Sequence, residues 1–375
     1  MLRLFDSSWK CACGKHAMPP ALIRISSGVV REVPAIARQL SLSSKCVVVE
    51  DANTRKVAGA TVVGDLKREG YIVSEVLAEK PDIDSVTRVQ AQLEPGDFVI
   101  GVGGTSVLDV AKLAAHQKEA RYILISTGLA NSGIVSRTAS IYIKGKKESI
   151  QVRLADAILV DLDIVSHAPD WMFAAGCGDL VIEATAIKDW ELGKEEDNEP
   201  FCSTIADFEV STLDQVLNNA DEIRLRSPKG IAALVDALIV SGLGMAMWGS
   251  SRPSSGSEHL WSHWLEHYAE QNGLPQGRHG EQVGMGTLLM AKYHEHYNPN
   301  WWDADKYPTY QADNLKSFLE AVGAPTSLDR IGVTKNLAIA AFVGAWEYRP
   351  ERYTILHKRH PNNLDAEKVI EEVGV

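Results

Sequence analysis

Apolar positions in the first part of the chain fall in short, β-branched runs: residues 21–26, 46–50, 71–76, 97–101 and 121–126. Turn residues bound each run, and amphipathic stretches lie between most of them, as at 36–39, 54–68 and 83–93. Strand and helix in alternation predict a parallel sheet with helices on its faces. Past about residue 163 the runs lengthen and take a helical period: 171–194, 200–219, 229–248, 258–272, 282–297, 304–322 and 335–348. The pattern predicts an α/β domain over residues 1–165 and an all-helical domain over 166–375. The boundary is expected near 166–169, and a ligand in the cleft between the halves.

The helical half carries a histidine series. Residues 257–280 read SEHLWSHWLEHYAEQNGLPQGRHG, with His259, His263 and His267 at every fourth position. On a helix that spacing stacks them along one face. His279 follows a turn containing Gly273, Pro275 and Gly277 and precedes the apolar stretch 282–290. A helix–turn–helix here can bring His259 and His279 together, a pairing that suits a divalent transition metal; the plain alternative is a solvated histidine-rich face. Asp179 lies in WMFAAGCGDLVIEATAIKDW (171–190), among apolar neighbours where a carboxylate is costly unless paired or metal-bound. One carboxylate and two imidazoles leave a coordination position open, the pattern of a catalytic metal.

The first half offers a phosphate loop. DFVIGVGGTSVLDV (97–110) runs from an apolar strand through Gly103, Gly104, Thr105 and Ser106 into an amphipathic helix with Asp109 and Lys112. Glycines admit close approach of a phosphate, and a helix N-terminus presents free N–H groups. The stretch is neither Gly-x-Gly-x-x-Gly nor a Walker loop, and an ordinary strand-to-helix turn reads the same. Glu50 and Asp51 close an earlier strand; an acid there can bond ribose hydroxyls and repel a 2′-phosphate, or simply be solvated.

Composition narrows the classes. A chain of 375 residues with 45% hydrophobic and 23% charged residues has room for two domains and the balance of a soluble globular protein. A net charge of −11 argues against a nucleic-acid or anionic-membrane surface. No apolar run is expected to approach the length of a membrane span, and MLRLFDSSWK lacks the apolar core of a signal peptide. Five cysteines without a disulfide-type spacing point to a reducing cytoplasm. In WKCACGKH (9–16), Cys11 and Cys13 make half of a metal clip. With no second cysteine pair at suitable spacing, a metal role is not expected.

GGTSVLDVAK (103–112), STGLANSGIVSRTASI (126–141), AAGCGDL (174–180), SSRPSSGSEHLWSH (250–263) and HGEQVGMGT (279–287) resemble the sn-glycerol-1-phosphate dehydrogenases. These belong to the iron-containing alcohol dehydrogenase and dehydroquinate synthase-like superfamily. The similarity spans roughly residues 20–356. SGSEHLxSH and HGEQVG are specific to the family, GGxSxxD is shared across the superfamily, and the Cys-x-Cys-Gly-Lys-His start resembles bacterial members. The resemblance implies a Rossmann-like parallel-sheet domain followed by a helical, dehydroquinate synthase-like domain. It implies Asp179, His259 and His279 as metal ligands, and His263 as a substrate contact that relays a proton. Gly103, Gly104, Thr105, Ser106 and Val107, with Asp109, match the pyrophosphate loop. Thr127, Gly128, Leu129, Ala130 and Ser136 match a second nicotinamide-cofactor segment, with Asp51 expected at the ribose. Asn131, Ser132, Asp179 and His263 are expected around the substrate. Zinc is the expected metal, with nickel or iron(II) as the other fits, and NAD(H) or NADP(H) the cofactor. A homodimer or higher homo-oligomer is expected.

The chain departs from the family at Ser132, where the family has Asp as a substrate contact. Glu183 stands where iron-type alcohol dehydrogenases place a fourth ligand, His. Ile182 stands where dehydroquinate synthases have Lys, which weakens a cyclase reading. Arg349 and Arg352 could face a substrate phosphate, though surface solvation is the plainer expectation. The expected reaction is metal-dependent reduction of dihydroxyacetone phosphate to sn-glycerol 1-phosphate by NAD(P)H. The alternatives are reduction of another polyol or sugar phosphate, a cyclase-like lyase using NAD transiently, and a non-catalytic binding protein.

Overall fold

A computed structural model describes residues 11–19, 21–298 and 301–375. The MLRLFDSSWK stretch, and with it Trp9 and Lys10 of the cysteine motif, lies outside the described residues. The chain forms two compact units, one over residues 18–169 and the other over 170–375 together with residues 11–17.

The first unit is built on a six-stranded sheet of β1 (Leu22–Ser26), β2 (Lys45–Glu50), β3 (Ile72–Leu77), β4 (Phe98–Gly103), β5 (Arg121–Ser126) and β8 (Ala157–Asp161). All its pairings are parallel, in the order β1-β8-β5-β4-β2-β3. β4 and β8 are buried at every residue, so they read as unbroken apolar runs, as strands covered on both faces must. A hairpin, β6 (Thr138–Ile143) with β7 (Lys146–Gln151), stands outside the sheet. Lys144 and Gly145, both at positive φ, make its two-residue turn. Sequence periodicity misses β6, β7 and β8: the hairpin carries lysine, glutamate and serine, and β8 is short and runs straight into the helix Leu162–Val165.

Chain order reverses between β2 and β4. The chain leaves β2 outward to β3, then returns across β2 to β4, which continues to β5. In open α/β sheets, ligands bind beyond the carboxyl ends of the strands at such a switch point. Those ends here are Glu50-Asp51 and Gly103-Gly104.

The second unit is helical. Its long helices are Asp170–Val181, Glu183–Glu196, Ser203–Leu217, Pro228–Trp248, Ser257–Gln271, His279–Tyr297, Ala312–Ala321, Lys335–Gly344 and Asn363–Val373. The single helix expected over 171–194 is broken at Ile182. Only Ala312–Ala321 of the 304–322 run is α-helical; Pro308, which lacks an N–H, opens a 3-10 turn instead. Asn363–Val373 was not anticipated, although its Asn362 and Asp365 form a capping box visible in sequence.

The expectation that no apolar run approaches a membrane span needs correction. Pro228–Trp248 is 21 residues long and apolar enough by length and composition. It is a core helix: 83% of its most apolar window is buried inside the unit.

Against that helix lies a buried carboxyl pair. Glu183 accepts from Ser241 Oγ at 3.1 Å, and Glu209 is packed against Gly244, where a Cβ would come within 1.9 Å of its Oε1. Burial pushes both carboxyls up, Glu209 to about 8, and the Glu209 charge adds to the cost of ionising Glu183. A folded pKa above the ordinary 4.5 means the contribution is complete at low pH and is lost as pH rises through about 8. Melting temperature should therefore fall between about pH 5 and 9, and Glu209→Gln should flatten that fall. Parallel melting curves for the two proteins would remove the pair from the pH response.

Candidate metal centre and cofactor loop

Three helices of the second unit meet through glycines. A Cβ on Gly178 would lie 2.1 Å from the Gly280 carbonyl oxygen, and one on Gly280 would lie 2.1 Å from that of Ala175. Asp170–Val181 and His279–Tyr297 thus touch backbone to backbone, which sets Asp179 beside His279. Gly286 does the same on the other side, where a Cβ would come 2.9 Å from Glu258 O on Ser257–Gln271. The glycines of GCGD and HGEQVGMG are therefore the means of approach.

At the meeting point stand Asp179, His259 and His279, with one ligand atom of each within 4.8 Å of the others. His279 Nε2 lies 3.7 Å from Asp179 Oδ1, and the rings of His259 and His279 are 5.2 Å apart. Asp179 and His259 are buried; the His279 side chain is 28% exposed.

Each imidazole is backed by a carboxylate that sequence reading did not single out. Glu258 Oε1 is 2.9 Å from His259 Nδ1, and Glu266 Oε1 is 3.3 Å from His279 Nδ1. Glu258 is fully buried and itself fixed, accepting from Gly256 N–H at 2.6 Å and from Thr185 Oγ at 2.6 Å. Carboxylates on Nδ1 of both rings turn Nε2 toward Asp179, the arrangement of metal-ligating histidines. Burial holds the His259 imidazole below its usual pKa against the pull of Glu258, so the neutral, ligating form prevails. The donor set fits a divalent cation: one oxygen and two nitrogens, neutral rings, and an orienting acid behind each.

Asp189 supports this site from behind the helix that carries His259. It is buried in the helix Glu183–Glu196 and accepts from Ser257 N–H at 2.6 Å and Ile355 N–H at 2.7 Å. It thereby anchors the first turn of the helix that carries His259. Arg252 donates to Glu199, to Asp189 O and to Tyr353 O. Arg352, expected at the surface, donates instead to Ser255 O at 2.9 Å and to Ser251 Oγ, and is a structural tie. Arg349 is half-buried, and its charge, after burial and opposed by Glu266, holds the His263 imidazole down. His263 sits one turn after His259, its ring 6.1 Å from that of His279 and its Nδ1 buried with no hydrogen-bond partner among the described residues. His267, next in the series, lies toward Tyr348 and Gln271, apart from the cluster of Asp179, His259 and His279. Glu183 turns to Ser241 and is not part of that cluster.

In the first unit, Gly104 precedes the helix Thr105–Gln117 and has open space where a Cβ would stand; a Cβ on Gly103 would strike Val107 at 2.7 Å. Thr105 and Ser106 begin that helix. The second segment is drawn to it: Thr105 Oγ donates to Asn131 Oδ1, Asn131 Oδ1 accepts from Gly133 N–H, and Thr127 N–H donates to Gly103 O. Gly128, Leu129 and Ala130 follow β5. Asp109, expected among the cofactor contacts, spends one oxygen on buried Lys112 and the other on Ser140 N–H. Lys112 also donates to Gly133 O at 2.6 Å. Asp109 and Lys112 therefore hold the two segments together from beneath. Ser136 Oγ donates to Gly133 O and Thr138 O, another tie within the segment. Glu50 is buried beneath Gly59 and pushed up to about 7 by burial and by Glu75, against the pull of Arg55. Asp51 accepts from Asn53 and Thr54 N–H, capping the following helix.

Residues 24–169 match the family model of iron-containing alcohol dehydrogenases. The glycerol-1-phosphate dehydrogenase [NAD(P)+] of Pyrococcus furiosus is 35% identical over 358 residues, covering 95% of this chain and 98% of that protein. This chain belongs to the glycerol-1-phosphate dehydrogenase family. The family member from Methanococcoides burtonii is 34% identical over 90% of both chains. Among solved structures, glycerol dehydrogenase from Schizosaccharomyces pombe matches with a TM-score of 0.75 at 18% identity, over 97% of this chain and 92% of that one. Maleylacetate reductase from Rhizobium sp. strain MTP-10005 matches at 0.72 and 19%, over 96% and 97%. These structures share the fold. As a member of the glycerol-1-phosphate dehydrogenase family, the chain is a metal-dependent, NAD(P)-linked oxidoreductase.

Proposed function

We propose that this chain reduces the C2 ketone of dihydroxyacetone phosphate with a reduced nicotinamide cofactor, yielding sn-glycerol 1-phosphate. The observation that carries the reading is the cluster of Asp179, His259 and His279, with an acid behind each imidazole, in a chain 35% identical to a glycerol-1-phosphate dehydrogenase. Zinc held by these three residues supplies Lewis-acid polarisation of the ketone oxygen when bound. Glu258 and Glu266 fix the tautomers of His259 and His279. His263 is held neutral by burial, so it is no resident acid. A neutral imidazole passes on the proton of one nitrogen while taking up another at the second, and His263 in this role delivers a proton to the product oxygen. The glycine turn at 103–104 and the first turn of Thr105–Gln117 cradle the cofactor pyrophosphate, the segment 127–130 borders the nicotinamide, and Asp51 meets the adenosine ribose. A reducing, cytoplasmic setting suits the five free thiols.

The deciding experiment is an NADH-oxidation screen over ketoses and ketose phosphates with zinc, nickel or iron(II) added, followed by chiral analysis of the product. Absence of turnover on every ketose phosphate would overturn the reading. Asp51 predicts a higher catalytic efficiency with NADH than with NADPH, because its carboxylate repels a 2′-phosphate; a clear NADPH preference would take Asp51 away from the ribose.

One residue favours a second substrate. Ser132 is buried in the 3-10 turn Ser132–Ile134 and replaces the family's aspartate. If the substrate is dihydroxyacetone phosphate, restoring the acid in Ser132→Asp should lower its KM by about one to two decades, the worth of a charge-assisted hydrogen bond of about 1.5–3 kcal/mol. If the chain serves a bulkier or more anionic ketose phosphate, the same change impairs that reaction. Unchanged constants across the panel would remove Ser132 from the site.

A further inference from the structure

The fold completes what the sequence leaves as half a site. Cys11 and Cys13 belong with the helical unit, and Cys202, 191 residues after Cys11, meets them at the start of the helix Ser203–Leu217. Cys11 Sγ lies 3.3 Å from Cys202 Sγ and 3.1 Å from Cys13 Sγ; Cys13 Sγ lies 4.0 Å from Cys202 Sγ and 3.1 Å from His16 Nδ1. One donor atom from each of the four residues lies within 4.8 Å of every other.

We propose that Cys11, Cys13, His16 and Cys202 form a second, structural metal site that takes tetrahedral zinc. Zinc bonds of about 2.3 Å to sulfur and about 2.0–2.1 Å to nitrogen put tetrahedral donors roughly 3.5–3.8 Å apart. The observed 3.1–4.0 Å separations bracket that spacing, so small side-chain rotations suffice. A disulfide would consume two of the thiols and leave the third, with the imidazole, unexplained. Four protein donors close the coordination shell, which marks a structural rather than a catalytic ion. Three thiolates also select a softer cation than the carboxylate and imidazoles at Asp179, His259 and His279 do.

The surroundings are shaped for this. Cys11 N–H donates to His16 O and Gly14 N–H to Cys11 O, closing the loop that carries three donors; Gly14, at φ +72°, makes the turn. Lys15 N–H points at Cys13 Sγ at 3.4 Å, a backbone donor for a thiolate. His16 packs on Trp248, which packs on Trp190, which in turn meets Phe201 beside Cys202. The ion would fasten the N-terminal loop to the ends of the helices Ser203–Leu217 and Pro228–Trp248.

The test uses the full chain, purified under reducing conditions and reloaded with cobalt(II). Wild type should show the thiolate-to-cobalt charge-transfer absorption, which oxygen and nitrogen ligands cannot produce. His279→Ala, which removes a ligand of the other cluster, should keep that absorption. Cys13→Ser, at an exposed position, should weaken it, since one of three thiolates is gone, and should give up zinc more readily to a chelator. Cys202→Ser should do the same and lower the melting temperature. Absence of the absorption in wild type would overturn the proposal, as would an undiminished absorption in Cys13→Ser. So would a native mass two hydrogens short with Cys11 and Cys202 joined. None of these readouts depends on catalytic activity.

Discussion

His279→Ala loses its bound catalytic metal and nearly all turnover while the fold persists. His279 is the first residue of its helix, with its side chain 28% exposed, so removing it opens no large cavity. Of the three residues in the cluster, it is the one both near Asp179 and backed by Glu266. Two remaining ligands cannot hold a divalent ion at ordinary concentrations, and affinity should fall by orders of magnitude. Metal analysis alongside a melting curve separates loss of the ion from loss of the fold. Stoichiometric catalytic metal with normal activity would remove His279 from the ligand set.

Gly178→Ala should damage the same site without touching a ligand. Its new methyl would meet the Gly280 carbonyl oxygen at 2.1 Å, backbone against backbone, so no side-chain rotation relieves it. The helices Asp170–Val181 and His279–Tyr297 must part, carrying Asp179 away from His279. Overpacking typically costs about 1–3 kcal/mol, and a rigid contact of this kind belongs at or above the upper end. Metal affinity should fall by about 10–100-fold, as when outer support of a metal site is lost. Gly64→Ala is the control: that position lies within the helix Ala60–Arg68 with open space where the Cβ would stand, so the change should be neutral or mildly stabilising. Equal melting temperatures and metal contents for Gly178→Ala and wild type would mean the crossing yields easily and does not set the metal geometry.

Much of this protein was legible in the order of its residues. Buried parallel strands read as unbroken apolar runs, and amphipathic helices show their period, so the succession of an α/β half and a helical half follows from local pattern alone. The same holds for His259 and His263, whose spacing places them one turn apart whatever the helix packs against. The polar hairpin β6–β7 escaped because its pattern carries too few apolar positions to stand out, and β8 because its five residues run straight into a helix. The capping box at Asn362 shows that the helix Asn363–Val373 could have been found from its end signal.

Other features depend on distance in space, which local pattern does not encode. Glu258 and Glu266 are two glutamates on a helix rich in charge; only the approach of His259 and His279 turns them into orienting acids. Asp109 and Lys112 read as the polar face of a cofactor helix, yet burial against residues 133–140 makes them fasteners. Arg352 reads as a surface cation and is spent on a backbone oxygen and a serine hydroxyl. Cys11 and Cys13 read as half a clip until Cys202 arrives across most of the domain. Sequence by itself determined the types of element and the chemical inventory, because both are properties of single segments. Tertiary structure decided which carboxylate, thiol or cation does what, because a polar side chain takes its role from the partner that burial forces upon it.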